Sequence, residues 1–138
     1  MTSTDIDAVT VIDRAAFGKP WHTQDFTDEL DKDYAYYFTA RHCGAIAGYA
    51  GIWCVYETAE LIRIAVEPKI QRNGIACRLM ENILKFAAEQ GCEKMMLEVR
   101  KSNGAARALY KKYGFCEISV RKGYYDGEDA VIMEKDLG

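Results

Sequence analysis

The sequence predicts an α/β fold in which a mixed sheet is flanked by helices. An aromatic segment, 34–40, and a longer apolar segment, 45–56, predict a β-hairpin that turns at His42-Cys43-Gly44. The nearly continuous apolar run Leu61–Val66 is typical of a central strand that is covered on both faces. Apolar residues at helical spacing follow Gly74, which predicts a long helix directly after this strand.

Two helices are predicted before the hairpin. Apolar residues at helical spacing predict the first over 5–17, and the breaker residues 18–20 end it. Thr23 is the expected N-cap of a second, shorter helix, because a threonine hydroxyl can accept a hydrogen bond from a first-turn amide. Further along, the long helix that starts after Gly74 is expected to end at Gly91. Its buried stripe comprises Ala76, Leu79, Met80, Ile83, Leu84 and Ala87.

The C-terminal half continues the alternation of strand and helix. Lys94–Arg100 alternates between a more and a less apolar face, which predicts a strand with Glu98 on the less apolar face. Ser102 or Asn103 is expected to cap the next helix. The remaining predicted elements are that helix, ending at Gly114, and strands over 115–120 and 129–134. The predicted order is therefore α-α-β-β-β-α-β-α-β-β.

Length and composition limit the possible functions. The length fits one domain, so we expect residues 1–138 to form a single domain. A formal net charge of −3 argues against a general nucleic-acid-binding protein, because such proteins are usually basic. The N-terminus lacks the features of a signal peptide, and no apolar run approaches the ~20 residues of a membrane span. The cysteine spacing fits neither a C-x-x-C pair nor a zinc site. We therefore expect a cytoplasmic protein with reduced thiols, no metal, and neither membrane nor direct nucleic-acid partners.

The turn Gln71-Arg72-Asn73-Gly74-Ile75-Ala76 is the strongest candidate for a ligand site. A turn that brings free backbone N–H groups and a helix N-terminus to one point can bind phosphate. Gly74 would let the backbone approach a ligand closely, because a Cβ would occupy that space. The turn is neither a P-loop nor a dinucleotide fingerprint. Taken alone, it fits a plain helix start better than a ligand site.

The neighbouring residues supply a family resemblance. Q-R-N-G-I-A, after a strand that ends I-A-V-E-P, resembles the Q/R-x-x-G-x-G/A motif of the GCN5-related N-acetyltransferases (GNAT), with Ala76 where glycine is common. Five further segments resemble the RimI-like group of that family, the bacterial ribosomal-protein-alanine N-acetyltransferases. They are L-E-V-R-K-S-N at 97–103, A-L-Y at 108–110, Y-G-F at 113–115, R-K-G-Y-Y at 121–125 and E-D-A-V-I-M at 128–133. The resemblance is dense over 60–134 and fainter over 17–30.

The resemblance implies a GNAT fold, whose mostly antiparallel central sheet splays at the cofactor site, and acetyl-CoA as co-substrate without a metal. Glu98 and Tyr110 match the family's general base and general acid. The backbone N–H of Val66 would point at the thioester carbonyl. The implied cofactor-binding residues are Ile64, Ala65, Val66, Gln71, Arg72, Asn73, Gly74, Ile75, Ala76, Cys77 and Asn103. The implied substrate-binding residues are Trp21, Tyr124 and Tyr125.

The resemblance further implies direct attack by a protein N-terminal α-amine, that of the N-terminal alanine of a small-subunit ribosomal protein. An α-amine has a pKa of about 7.7 to 8.0, so a modest base suffices to deprotonate it. No covalent enzyme intermediate is needed, so no cysteine has to react. The alternative acceptors are a lysine side chain, a small amine or several protein N-termini, and the chain could instead be an acyl-CoA-binding module without turnover.

Each candidate side chain also has a purely structural alternative. Glu98 could be a surface carboxylate that pairs with an arginine, either Arg100 or Arg121. Tyr110 and Trp21 could be core aromatics. One of the two tyrosines at 124 and 125 could be buried, since neighbouring strand residues point to opposite faces.

Overall fold

The computed structural model describes residues 1–70, 74–125 and 127–138, and the side chain of Tyr125 lies outside the described part. The helices are α1 (Ile6–Ala16), α2 (Thr23–Leu30), α3 (Ile75–Glu89) and α4 (Gly104–Lys112). The strands are β1 (Ala35–His42), β2 (Ala45–Val55), β3 (Thr58–Val66), β4 (Lys94–Arg100), β5 (Cys116–Tyr125) and β6 (Glu128–Asp136). Short 3₁₀ turns at Ser3–Asp5 and Pro68–Ile70 complete the described elements. The predicted order of helices and strands is confirmed.

The strands form one sheet in the order β1-β2-β3-β4-β6-β5. β3 and β4 are parallel, and the other described neighbours are antiparallel. A parallel pair needs a crossover connection, and α3 provides it. The sheet is therefore mixed, as the element pattern predicted, and mostly antiparallel, as the family resemblance implied.

Helices cover the two faces of the sheet unequally. The apolar stripe of α3 packs on one face together with Tyr110 of α4. On the other face, α1 and α2 enclose a smaller cluster around Phe26, Tyr37 and Tyr49 of the first two strands and α2. Burying a large apolar side chain contributes roughly 1.5–3 kcal/mol, so the α3 side supplies most of the hydrophobic stabilisation. Among the described residues, no helix is long and apolar enough to cross a membrane.

A buried ion pair joins α1 to β3. Asp13 is fully buried and accepts hydrogen bonds from Arg63 Nε at 2.7 Å and Nη2 at 2.9 Å. It also accepts from the backbone N–H of Trp21 at 2.7 Å and from the Tyr49 hydroxyl. Burial lowers the pKa of Arg63, but the hydrogen bonds and charge of Asp13 outweigh it and leave that pKa above its ordinary value. The rings of Phe17 and Trp21 lie 4.0 and 4.6 Å from the guanidinium carbon.

A β-bulge in β3 directs the Arg63 side chain toward Asp13. Leu61 pairs with Ile52 and Arg63 pairs with Gly51, so Ile62 is an extra residue on β3. An extra residue reverses which face the following side chains take. Arg63 therefore lies on the α1 face, opposite to the face on which Leu61 joins the α3 core.

Two predicted details are wrong. The N-cap of α2 is His22, not Thr23, and the carboxylate of Asp25 accepts from the His22 backbone N–H at 2.8 Å. β5 extends to Tyr125 instead of ending near 120, because Gly123 takes a positive φ of 64° inside the strand and allows an irregular pairing with β6. Neither feature follows from apolar periodicity.

Substitution of Gly51 tests the packing on the face of the sheet that α1 and α2 cover. A Cβ at this position would lie 2.1 Å from the ring of Tyr37, whose hydroxyl donates to the buried Glu29 at 2.6 Å. Because that hydrogen bond holds the ring, we expect Gly51→Ala to lower the free energy of unfolding by about 1–3 kcal/mol. Gly18→Ala, where a Cβ meets nothing within 4 Å, should change it by less than about 0.5 kcal/mol. Urea unfolding of both variants measures this, and equal stabilities would contradict the packing.

Candidate active site

The site lies where β3 and β4 separate. Their parallel pairing covers only Thr58–Glu60 with Lys94–Met96, although β3 continues to Val66 and β4 to Arg100. Beyond the last pair, the two strands enclose a cleft of about 750 Å³. The start of α3, the α4 helix and the α1–α2 connection complete its walls. This gap is the splay that the family resemblance implied.

The free edge of β3 presents backbone groups to the cleft. The N–H of Glu67 donates to the Ala47 carbonyl of β2 at 2.7 Å, so at this end of β3 the odd-numbered residues direct their N–H groups toward β2. In an antiparallel pair such residues alternate with residues whose N–H groups point away from the partner strand. The N–H groups of Ile64 and Val66 therefore face the side on which β4 has separated. Ile64, Ala65 and Val66 all line the cleft.

Gly74 begins α3 in the left-handed conformation, with φ 74° and ψ 12°. Only glycine adopts this conformation without steric cost, so the helix start alone accounts for the residue. A Cβ here would meet no atom of the described residues within 4 Å. Among the described residues no side chain caps the helix, so none of them occupies the first amides of α3. Ala76 and Cys77 line the cleft, whereas the side chain of Ile75 is buried in the core. Gln71, Arg72 and Asn73 lie outside the described residues.

Asn103 and Tyr110 reach the cleft from α4. Asn103 is the N-cap, and its side-chain oxygen accepts from the Ala106 backbone N–H at 3.1 Å. Of the two caps that the sequence allowed, Asn103 is therefore the one observed. Tyr110 is 7% exposed, packs edge-on against Phe115 with ring centroids 5.9 Å apart, and lines the cleft. It is both a core aromatic and a cleft residue.

Glu98 lies on β4 at the edge of the cleft, with its side chain 27% exposed. Arg121 of β5 approaches it, with Nη1 and Oε1 3.0 Å apart, whereas Arg100 contacts Glu128 at 3.4 Å. Burial first, and the charge of Glu98 second, raise the pKa of Glu60 on β3. Glu98 therefore forms an ion pair with Arg121, which is the purely structural role that the sequence also allowed. This ion pair lies beside the cleft.

The three expected substrate residues are placed differently from one another. Trp21 packs edge-on against Phe26 at 5.1 Å and does not line the cleft. It borders a separate hollow of about 340 Å³ with Trp53 and residues of α2. Tyr124 is 53% exposed on β5, with the Arg121 guanidinium carbon 4.7 Å from its ring centre. The side chain of Tyr125 lies outside the described part.

Sequence reasoning missed one wall of the cleft. Phe17, Gly18 and Lys19, between α1 and α2, line it opposite the strands. The breaker residues there indicated only the end of a helix. Their position depends on the Asp13–Arg63 pair, which no local pattern reveals.

Comparison with known proteins places this geometry in a family. Residues 6–115 match the acetyltransferase (GNAT) family. The [ribosomal protein bS18]-alanine N-acetyltransferase of Escherichia coli strain K12 is 36% identical over 137 residues, 96% of this chain and 92% of that protein. The N-alpha-acetyltransferase RimI of Mycobacterium tuberculosis is 38% identical over 125 residues, 86% of this chain and 77% of that protein.

Solved structures agree. The crystal structure of the ribosomal-protein-S18-alanine N-acetyltransferase from Escherichia coli has a TM-score of 0.93 and 34% identity, covering 100% of this chain and 91% of the other. Enzymes of the matching family use acetyl-CoA. The chain belongs to the GNAT family and is an acetyltransferase enzyme.

Proposed function

We propose that this enzyme transfers the acetyl group of acetyl-CoA to the α-amine of a protein N-terminus, the N-terminal alanine of a small-subunit ribosomal protein. The observation that carries the proposal is the cleft at the β3–β4 separation, whose lining includes Val66, Glu98 and Tyr110. The choice of acceptor is supported by the Escherichia coli relative, which is named for acting on alanine of ribosomal protein bS18.

Acetyl-CoA would lie along the free edge of β3. The first amides of α3 would bind the pyrophosphate, because a helix N-terminus carries unpaired donors and a partial positive charge. Ala76, Cys77 and Asn103 line the path between this helix start and the strands. The Val66 amide would donate to the thioester carbonyl oxygen and stabilise the negative charge that develops there during attack.

The two side chains would divide the proton chemistry. Glu98 accepts the proton of the acceptor ammonium, so that the neutral amine can attack the thioester carbon. As the carbon–sulfur bond breaks, the Tyr110 hydroxyl donates its proton to the departing sulfur. The products are the acetylated N-terminus and free CoA, and no bond to the enzyme forms at any point.

Binding through the helix start is tested by substitution of Gly74. Gly74→Asp adds bulk and negative charge where phosphate is expected, so we expect acetyl-CoA affinity to fall by more than about tenfold. Gly91→Asp is the matched control. Gly91 follows the same helix and also has positive φ (87°); in the described part of the chain a Cβ there would meet nothing within 4 Å, and Gly91 is not among the residues that line the cleft. Calorimetry with acetyl-CoA measures both variants, and equal affinities would contradict binding at this turn.

Tyr110→Phe removes the proposed acid but keeps the ring that packs on Phe115. We expect kcat to fall roughly ten- to hundredfold with little change in acetyl-CoA affinity, because the lost hydroxyl acts late in the reaction. Tyr36→Phe, on β1 beside Phe86, should leave both constants unchanged. A Tyr110→Phe enzyme that binds poorly but reaches normal kcat would make the hydroxyl a binding group instead.

The base and the acceptor class are tested together. Glu98→Gln keeps the shape and removes the proton acceptor, so kcat/KM for a peptide beginning with alanine should fall by about 10² or more near pH 7. Activity should partly return as the pH rises above the pKa of the α-amine, about 7.7 to 8.0. Glu60→Gln removes a neighbouring carboxylate and should have a much smaller effect. Full activity of Glu98→Gln at pH 7 would place the base elsewhere.

The same assay uses an Nα-blocked peptide with an internal lysine. A lysine ammonium has a pKa near 10.4, so deprotonating it at a given pH costs about 3.4 kcal/mol more than for an α-amine. We therefore expect little acetylation of the blocked peptide. Equal rates on the two peptides would favour a lysine acceptor, and acetyl-CoA binding without turnover of any acceptor would favour a regulatory module.

A further inference from the structure

Arg121 reaches Glu98 from a different strand. Glu98 on β4 pairs with Ile132 of β6, and Arg121 on β5 pairs with Ala130 of β6. The guanidinium therefore extends across β6 to bring Nη1 within 3.0 Å of Glu98 Oε1. Ala130 is small and fully buried, so it leaves room for a long side chain to cross the strand.

The local structure of β5 gives the Arg121 guanidinium a second contact, with Tyr124. Arg121 pairs with Ala130 and Tyr125 pairs with Glu128, so three residues of β5 face a single residue of β6. Gly123, with its positive φ, donates its N–H to Asp129 Oδ1 at 3.0 Å and thereby holds this irregular segment. The segment places the Tyr124 ring centre 4.7 Å from the Arg121 guanidinium carbon, a cation–π distance.

This arrangement contributes little to folding. The side chains of Arg121 and Glu98 are 51% and 27% exposed, and ion pairs of such exposure contribute little to stability because water and salt screen them. Its location is what matters. Glu98 borders the cleft, and its neighbouring carboxylate is Glu60 of β3, whose pKa is raised first by burial and second by the charge of Glu98. A guanidinium 3.0 Å from Glu98 Oε1 restricts the orientations that this carboxylate can take.

We propose that Arg121 is a positioning residue that acts through Glu98: its guanidinium, stacked on Tyr124, holds the carboxylate at the cleft edge in the orientation that accepts the acceptor's proton. The proposal rests on the proposed role of Glu98. It gives Tyr124 a place in the site as the support of Arg121, which does not require contact with the substrate.

A double-mutant cycle tests the proposal. The full-length wild type, Arg121→Met, Glu98→Gln and the double variant are assayed with acetyl-CoA and a peptide beginning with alanine. We expect Arg121→Met alone to lower kcat about tenfold with unchanged acetyl-CoA affinity. In the Glu98→Gln background the same change should cost less than about twofold, because a residue that acts only through Glu98 has nothing left to position. Arg121→Lys keeps the charge but not the planar stacking, and should restore part of the activity.

Lys122→Met is the matched control, since Lys122 is an exposed neighbouring cation on β5 that contacts Asp129 at 3.2 Å. It should leave kcat unchanged. A tenfold loss that persists in the Glu98→Gln background would overturn the proposal, as would an Arg121→Met enzyme of normal kcat or one with only a raised KM for the peptide. If Arg121→Met does not fold, as thermal melting would show, Arg121→Gln, which also removes the charge, takes its place in the cycle with the same criterion. Full activity of Glu98→Gln would instead contradict the proposed function.

Discussion

The free edge of β3 is the constraint on which the rest of the site depends. From Leu61 to Val66 this strand has β2 on one side and a gap on the other, so it lacks one of its two lateral supports. The Asp13–Arg63 pair supplies a support perpendicular to the sheet, between β3 and α1. Removing one partner of a buried pair typically costs about 3–5 kcal/mol, because the other charge is left uncompensated. The pair therefore couples the stability of the α1 layer to the position of the edge that faces the cleft.

The gap also explains how groups from opposite faces of the sheet can act on one substrate. Leu97 and Val99 of β4 face the α3 core, so Glu98, between them, faces the other way. Tyr110 reaches the cleft from α4, on the α3 side. In a continuous sheet the backbone would separate these two side chains. Where β3 and β4 part, both line the same space, and a proton acceptor and a proton donor can flank the proposed reacting group.

Observed packing contacts and proposed chemical roles coincide at these positions. Tyr110 packs against Phe115 while it lines the cleft, and that packing holds its hydroxyl in place for the proposed proton transfer. Glu98 is held by Arg121 at the point where a base is expected. Trp21 differs, because it packs on Phe26 and Arg63 in the α1–α2 layer, away from the residues that line the cleft.

The order of elements, the α3 stripe and the capping of α4 by either Ser102 or Asn103 were predictable from the sequence, because each reflects a preference of neighbouring residues along the chain. Gly74 was recognisable as a special backbone position for the same reason. The tertiary structure decided where β3 leaves β4, how the extra residue Ile62 turns Arg63 onto Asp13, and how Arg121 crosses β6 to reach Glu98. Register, bulges and cross-strand contacts depend on which strand lies alongside, and this is settled only when distant segments pack together.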